Sequence, residues 1–128
     1  MVGIVLVSHS FELANGLAEL ASQVAGDGAR IEPAGGGPNG SLGTTGDSVR
    51  EAIGKADGGH GVVVLGDLGS SILTVRHVLE EGRFNGHVRL VDAPFVEGAI
   101  AAAVTSSAGL ELDAVARAAE DARGASKF

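Results

Sequence analysis

The chain has 128 residues, enough for one domain with a substantial core, and it contains no cysteine, which excludes a disulfide framework and a thiolate metal site. Nine Lys/Arg against sixteen Asp/Glu give a formal charge of −7, which argues against a nucleic-acid surface, suits a basic partner protein and helps keep the domain in solution. With four Phe and no Trp or Tyr, base-stacking platforms are excluded too.

Val2 to Val7 is an apolar run of six residues with no basic segment ahead of it. It therefore reads as a strand, not a signal peptide or a membrane span, and with the missing cysteines it points to the cytoplasm. The run ends abruptly at Ser8-His9-Ser10, and an amphipathic pattern starts directly behind it. In an open α/β sheet ligands gather at the carboxyl ends of strands, so His9 stands where chemistry is done. Ser10 is a candidate helix N-cap, with Glu12 well placed in the first turn. Leu13, Leu17, Leu20, Ala21 and Val24 recur as one face of that helix, which Gly26 and Gly28 stop. A short strand is expected over Ala29 to Pro33.

Residues 34 to 46 hold six glycines and one proline, so they form either a slack connection or a backbone that approaches a ligand closely. Gly43-Thr44-Thr45 lacks the lysine of a phosphate-cradling P-loop, which excludes nucleotide binding of that kind. Asp47 or Thr45 caps the next helix, whose apolar face is Val49, Ala52, Ile53 and Ala56. Gly61 to Gly66 is a second strand that is apolar on both faces, as a central parallel strand is. It runs into Asp67-Leu68-Gly69-Ser70-Ser71 and a helix carrying Ile72, Val75, Val78 and Leu79. The start of that helix offers free N–H groups and partial positive charge, a seat for an anion.

Gly82 to Gly86 reads as a turn, and His87 to Val91 as a further strand, broken by Asp92-Ala93-Pro94. Val96, Ala99, Ile100, Ala103 and Val104 form the stripe of the next helix. Glu111 to Arg123 is a last, Ala-rich helix with an Asp113–Arg117 pair, and residues 124–128 form a frayed tail. No repeat, linker or second domain is visible, so residues 1–123 make one domain.

Strands alternating with helices imply an α/β fold with a parallel sheet covered on both faces. The doubly wound strand order 2-1-3-4 puts the first and third strands side by side, with the switch point between them. His9 and Asp67 are then neighbours. An imidazole beside a carboxylate at a helix start serves as general base, metal ligand or nucleophile. His60 and His87 precede strands and fall at the opposite edge of the sheet, and His77 lies a turn or more past the site, so no metal set is expected. No G-x-S-x-G elbow supports serine hydrolysis. Nucleophilic histidine remains. Asp67 accepting a hydrogen bond from one ring nitrogen fixes the tautomer and leaves the other free to attack phosphorus. Ser10, Thr44, Gly69, Ser70 and Ser71 are the expected donors to the phosphoryl oxygens, and phosphoryl transfer asks for little beyond such positioning.

Val7-Ser8-His9-Ser10, Gly43-Thr44, Gly66-Asp67-Leu68-Gly69-Ser70 and Ala93-Pro94-Phe95-Val96-Glu97-Gly98-Ala99 together resemble the IIA domain of the mannose class of the bacterial phosphoenolpyruvate:sugar phosphotransferase system. The resemblance runs from Met1 to about residue 122, and the glycine-rich loop ending Gly-Thr favours the branch that serves PTS-dependent dihydroxyacetone kinase. It implies a flavodoxin-like three-layer sandwich, a homodimer, and phosphorylation of His9 by the phosphocarrier protein HPr, with Asp67 as the acidic partner of the histidine. It further implies that phospho-His9 rephosphorylates ADP on the kinase subunit DhaL, whose ATP then serves dihydroxyacetone on DhaK, with no cofactor, nucleic acid or membrane involved. The HPr-like and enzyme I-like domains that some members carry are expected on separate proteins, and position 45 is Thr where Ser is expected. The rival readings are a IIA component of a mannose-class sugar transporter, and a non-catalytic flavodoxin-like module that binds a small anion.

Overall fold

The central strand, β1 (Gly3–Ser8), is buried at every position in the computed structural model, which describes residues 1–37, 40–84 and 86–128. Pro38 and Asn39 of the glycine-rich segment and Asn85 of the turn after residue 82 lie outside the described residues. β1 pairs in parallel with β2 (Ile31–Gly35) on one side and β3 (Val62–Gly66) on the other, and β4 (Val88–Leu90) completes the sheet beside β3. The order is β2-β1-β3-β4, as the sequence leads one to expect.

Because side chains alternate along a strand, β1 feeds two cores. Ile4 and Leu6 join Val63 and Leu65 beneath α1 (Phe11–Ala25), α4 (Phe95–Ser107) and α5 (Leu112–Asp121). Val5 and Val7 join Val62 and Val64 beneath α2 (Gly46–Ala56) and α3 (Gly69–Glu80). The result is the helix–sheet–helix sandwich of a flavodoxin-like fold. α2 buries Val49, Ala52, Ile53 and Ala56, the four residues its periodicity marks, and Thr45 is its cap, accepting from the Ser48 N–H at 3.2 Å.

Two helix faces differ from expectation. On α1 the buried residues are Ala14, Leu17, Ala18 and Ala21, whereas Leu13, Leu20 and Val24 are exposed. On α4 Gly98, Ala99, Ala102, Ala103 and Ser106 are buried, whereas Val96 and Val104 are exposed. Both helices lie on the same side of the sheet and pack against each other, so small residues occupy the close approach and larger ones are displaced to the flank. A β-carbon on Gly98 would stand 2.9 Å from Ala93 and Leu65, which shows how closely α4 also lies on β3.

β2 begins at Ile31, two residues later than expected; it is an edge strand, where the missing N–H of Pro33 is tolerated. Asp113 pairs with Arg89 on β4 and not with Arg117. Beyond α5 a 3-10 turn spans Ala122–Gly124, and Lys127 reaches Glu97 in the first turn of α4 at 2.9 Å.

Candidate active site

β1 and β3 run in register, Val7 opposite Gly66, so their carboxyl ends deliver Ser8-His9 and Asp67 to the same spot. The Asp67 N–H donates to the Val7 carbonyl at 3.1 Å, which carries the pairing one residue past β3. Two helices start here. Ser10 is the N-cap of α1 and accepts from the Leu13 N–H at 3.2 Å. α3 begins at Gly69 with no side-chain cap, so the N–H groups of its first turn face the site unclaimed by any capping side chain. The glycine-rich segment also reaches the site. Gly43, at φ 141°, places its N–H 2.9 Å from the His9 carbonyl, a backbone conformation that side chains rarely adopt.

Asp67 is the hub. Its Oδ2 accepts from the Ser8 hydroxyl at 2.8 Å and the His9 N–H at 3.1 Å. Its Oδ1 accepts from the Leu68 N–H at 2.7 Å and the Ser71 hydroxyl at 2.8 Å, and lies 3.0 Å from His9 Nδ1. Burial works to raise the pKa of this carboxyl, but the hydrogen bonds from Ser71, Ser8 and the two backbone N–H groups outweigh it and hold it at about 2. An ionised carboxylate only accepts, so the imidazole must present an N–H to it, and Nδ1 carries the proton. Nε2 is left with its lone pair, and the Ser70 hydroxyl lies against it. The His9 side chain is 23% exposed and that of Asp67 10%, so the ring can be reached while its partner is enclosed.

The sequence candidates thus divide. Ser70 stands at Nε2. Ser71 is fully buried and turned to the other side of the ring, 3.1 Å from Nδ1, with Thr44 3.0 Å behind it. Ser10 spends its side chain on the α1 cap, and its N–H donates to the Ser8 hydroxyl at 3.0 Å. Gly69 opens α3, and a β-carbon there would meet nothing within 4 Å. Its φ is outside the left-handed region, so Gly69→Val brings no backbone strain of that kind. That variant is expected to melt within about 1 kcal/mol of wild type. A lowered phosphorylation rate would then report crowding of the phosphoryl group alone; an unchanged rate would place the group elsewhere. Ser8 is a member of the site that sequence reasoning missed.

No group of His, Asp or Glu among the described residues is arranged to hold a metal ion. A groove of about 680 Å³ opens on the far side of the Asp67 turn, between α3 and the end of β4, and His9 is not among its lining residues. The low pKa of Asp67 has a consequence for stability. Because the folded value lies below the unfolded one, its contribution of about 2 kcal/mol is complete above about pH 4 and lost as the pH falls through about 2. Acid titration of Asp67→Asn, followed by circular dichroism, is expected to show a correspondingly shallower loss of stability over that interval.

The chain has relatives. The family model described as PTS system fructose IIA component matches residues 3–116. The chain belongs to that family. It is 36% identical over 108 residues to "PEP-dependent dihydroxyacetone kinase 2, phosphoryl donor subunit DhaM" of Listeria innocua, covering 83% of this chain and 86% of the relative. It is 40% identical over 121 residues to the DhaM subunit of Escherichia coli K12, but spans only a quarter of that protein's length while 90% of this chain is covered. Among solved structures, the IIA chain superposes on the crystal structure of the unknown-function protein EF1359 with a TM-score of 0.87 and 30% identity, covering 100% of this chain and 99% of the other.

Proposed function

We propose that the chain is a phosphoryl carrier whose covalent site is Nε2 of His9. It takes the group from phospho-HPr and passes it to ADP bound to the DhaL subunit of dihydroxyacetone kinase, DhaK being served indirectly. The observation that carries this reading is the 3.0 Å contact between Nδ1 and Asp67, which leaves Nε2 as the nucleophile beside the uncapped start of α3. The Nε2 lone pair attacks phosphorus, the bond from phosphorus to the donor breaks, and its electron pair leaves with the donor. The ring then bears a phosphoryl group on Nε2 and its original proton on Nδ1. Asp67 balances the positive charge that builds on the ring, so no proton has to move. In the return half-reaction an oxygen of the terminal ADP phosphate attacks, the N–P bond breaks, and its electron pair returns to Nε2.

Ser70 and the first-turn N–H groups of α3, Gly69 included, are assigned to the phosphoryl oxygens, in line with the affinity of helix starts for anions. Ser71 and Thr44 hold the Nδ1 side, and Ser10 contributes through the start of α1. The Listeria relative supports the kinase branch, since the chain covers most of it. The family description, which names a fructose IIA component, keeps a sugar-transporter IIA as the second reading. No helix among the described residues is long and apolar enough to cross a membrane. A cytoplasmic homodimer completes the proposal.

The test is intact-protein mass spectrometry after incubation with phosphoenolpyruvate, enzyme I and HPr, with His9→Gln alongside. A phosphate-sized, acid-labile gain is expected in the wild type, absent in the variant and discharged by DhaL with ADP. No gain in the wild type would favour an anion-binding module instead. A gain that DhaL–ADP leaves in place would favour the transporter component.

A further inference from the structure

Ser8 closes β1 and is fully buried, yet its side chain is polar. Both sides of its hydroxyl are engaged. The oxygen accepts the Ser10 N–H at 3.0 Å, and the hydroxyl proton is directed to Asp67 Oδ2 at 2.8 Å. The direction is forced, because an ionised carboxylate cannot donate. Among the described residues no other side chain bonds to Oδ2, whose second partner is the backbone N–H of His9.

We propose that Ser8 is a positioning residue for His9, acting through Asp67: its hydroxyl fixes the rotation of the carboxylate so that Oδ1 meets Nδ1 and the imidazole is kept in the Nδ1–H tautomer. A carboxylate turns about one bond, so fixing Oδ2 fixes Oδ1. The other donors to the carboxylate, the Leu68 N–H and the Ser71 hydroxyl at Oδ1, belong to Asp67's own turn and helix, so what fixes it relative to β1 is Oδ2, held by the Ser8 hydroxyl and the His9 N–H. Ser8 sits on the central strand, whose backbone is paired on both sides, so the hydroxyl is the rigid reference. Because the same oxygen also accepts from Ser10, it ties the β1 end, the start of α1 and the β3 turn into one unit. The consequence for transfer rests on the carrier reading above; the consequence for the tautomer does not.

The experiment compares Ser8→Thr with Ser8→Val, which add the same bulk and differ in the hydroxyl, together with Ser8→Ala. Imidazole nitrogen NMR of unphosphorylated protein reads the tautomer, and initial rates with phospho-HPr read transfer. Wild type and Ser8→Thr are expected to show the Nδ1–H tautomer. Ser8→Val and Ser8→Ala are expected to show a mixture, and a turnover rate lower by about tenfold with an unchanged KM for phospho-HPr, as loss of one hydrogen bond to a charged group gives. Equal tautomer populations in the Thr and Val variants would overturn the proposal. So would a fall in melting temperature with no tautomer change, which is what a merely structural serine gives. If the added methyl prevents folding in both, Ser8→Ala against wild type decides by the same two readouts. If wild type accepts no phosphoryl group, the carrier reading fails and the tautomer comparison still tests Ser8.

Discussion

Replacing Asp67 by asparagine is expected to slow phosphorylation of His9 by about 10²–10⁴-fold while the domain stays folded. Among the described residues the carboxylate is the only group at Nδ1 that must accept a proton from the ring; the Ser71 hydroxyl nearby can do either. An amide at that position offers an N–H to one of the present donors, and the imidazole can turn its lone pair to Nδ1 and its proton to Nε2. The nucleophile is then masked. On the carrier reading charge is lost as well, since the ring would become cationic as an N–P bond formed and an amide would not balance it. Alanine is expected to slow transfer similarly but to cost more stability. It strands two hydroxyls and two backbone N–H groups in a pocket that is only 10% exposed at Asp67. Each unsatisfied group costs about 1–3 kcal/mol where water does not replace the carboxylate. Rapid-quench phosphorylation with phospho-HPr, alongside thermal melts, separates the two effects. An Asp67→Asn variant as fast as wild type would remove the carboxylate from the mechanism.

Much of this site could be read from the chain because its parts are strand ends. A short, β-branched apolar run such as Ile4 to Val7, stopped at Ser8, suits a buried parallel strand, and strands alternating with helices restrict the sheet to few orders. One of those orders, 2-1-3-4, brings His9 to Asp67, 58 residues apart. What could not be read is what depends on distances between side chains. Serine at the end of a buried strand reads as the point where the strand stops, so the bond from Ser8 to Asp67 had no sequence signal beyond the Ser-His-Ser triplet itself. Which ring nitrogen is free depends on which oxygen faces the ring, and composition does not encode that. The faces of α1 and α4 went astray for another reason. Periodicity ranks Leu13, Leu20 and Val24 above Ala14 and Ala18, but at the α1–α4 seam the condition is close approach, and size works against burial.

Gly3→Ala and Gly54→Ala are the same chemical change and are expected to act with opposite sign. A β-carbon on Gly3 would run into the carbonyl oxygen of Ala56, a backbone atom at the end of α2, with the Ala56 carbonyl carbon 2.7 Å away. A side chain can turn aside from such a contact; a helix end cannot, so either α2 lifts off the sheet or β1 shifts in register with β2 and β3. The expected cost is about 3 kcal/mol, at the upper end for overpacking a core. For a domain of this length that corresponds to a fall in Tm of roughly 10 °C. Gly54 lies within α2, exposed, with nothing within 4 Å of its notional β-carbon. Alanine there removes freedom from the unfolded chain and is expected to raise stability by about 1 kcal/mol. Gly3 stands at the opposite end of β1 from His9, so the folded fraction of Gly3→Ala is expected to accept phosphate at the wild-type rate. Chemical denaturation of both variants, with phosphorylation measured well below the Tm, tests this directly. A slowed transfer in Gly3→Ala would mean that register at the foot of β1 is felt at its tip, through the single strand that carries Ser8 and His9.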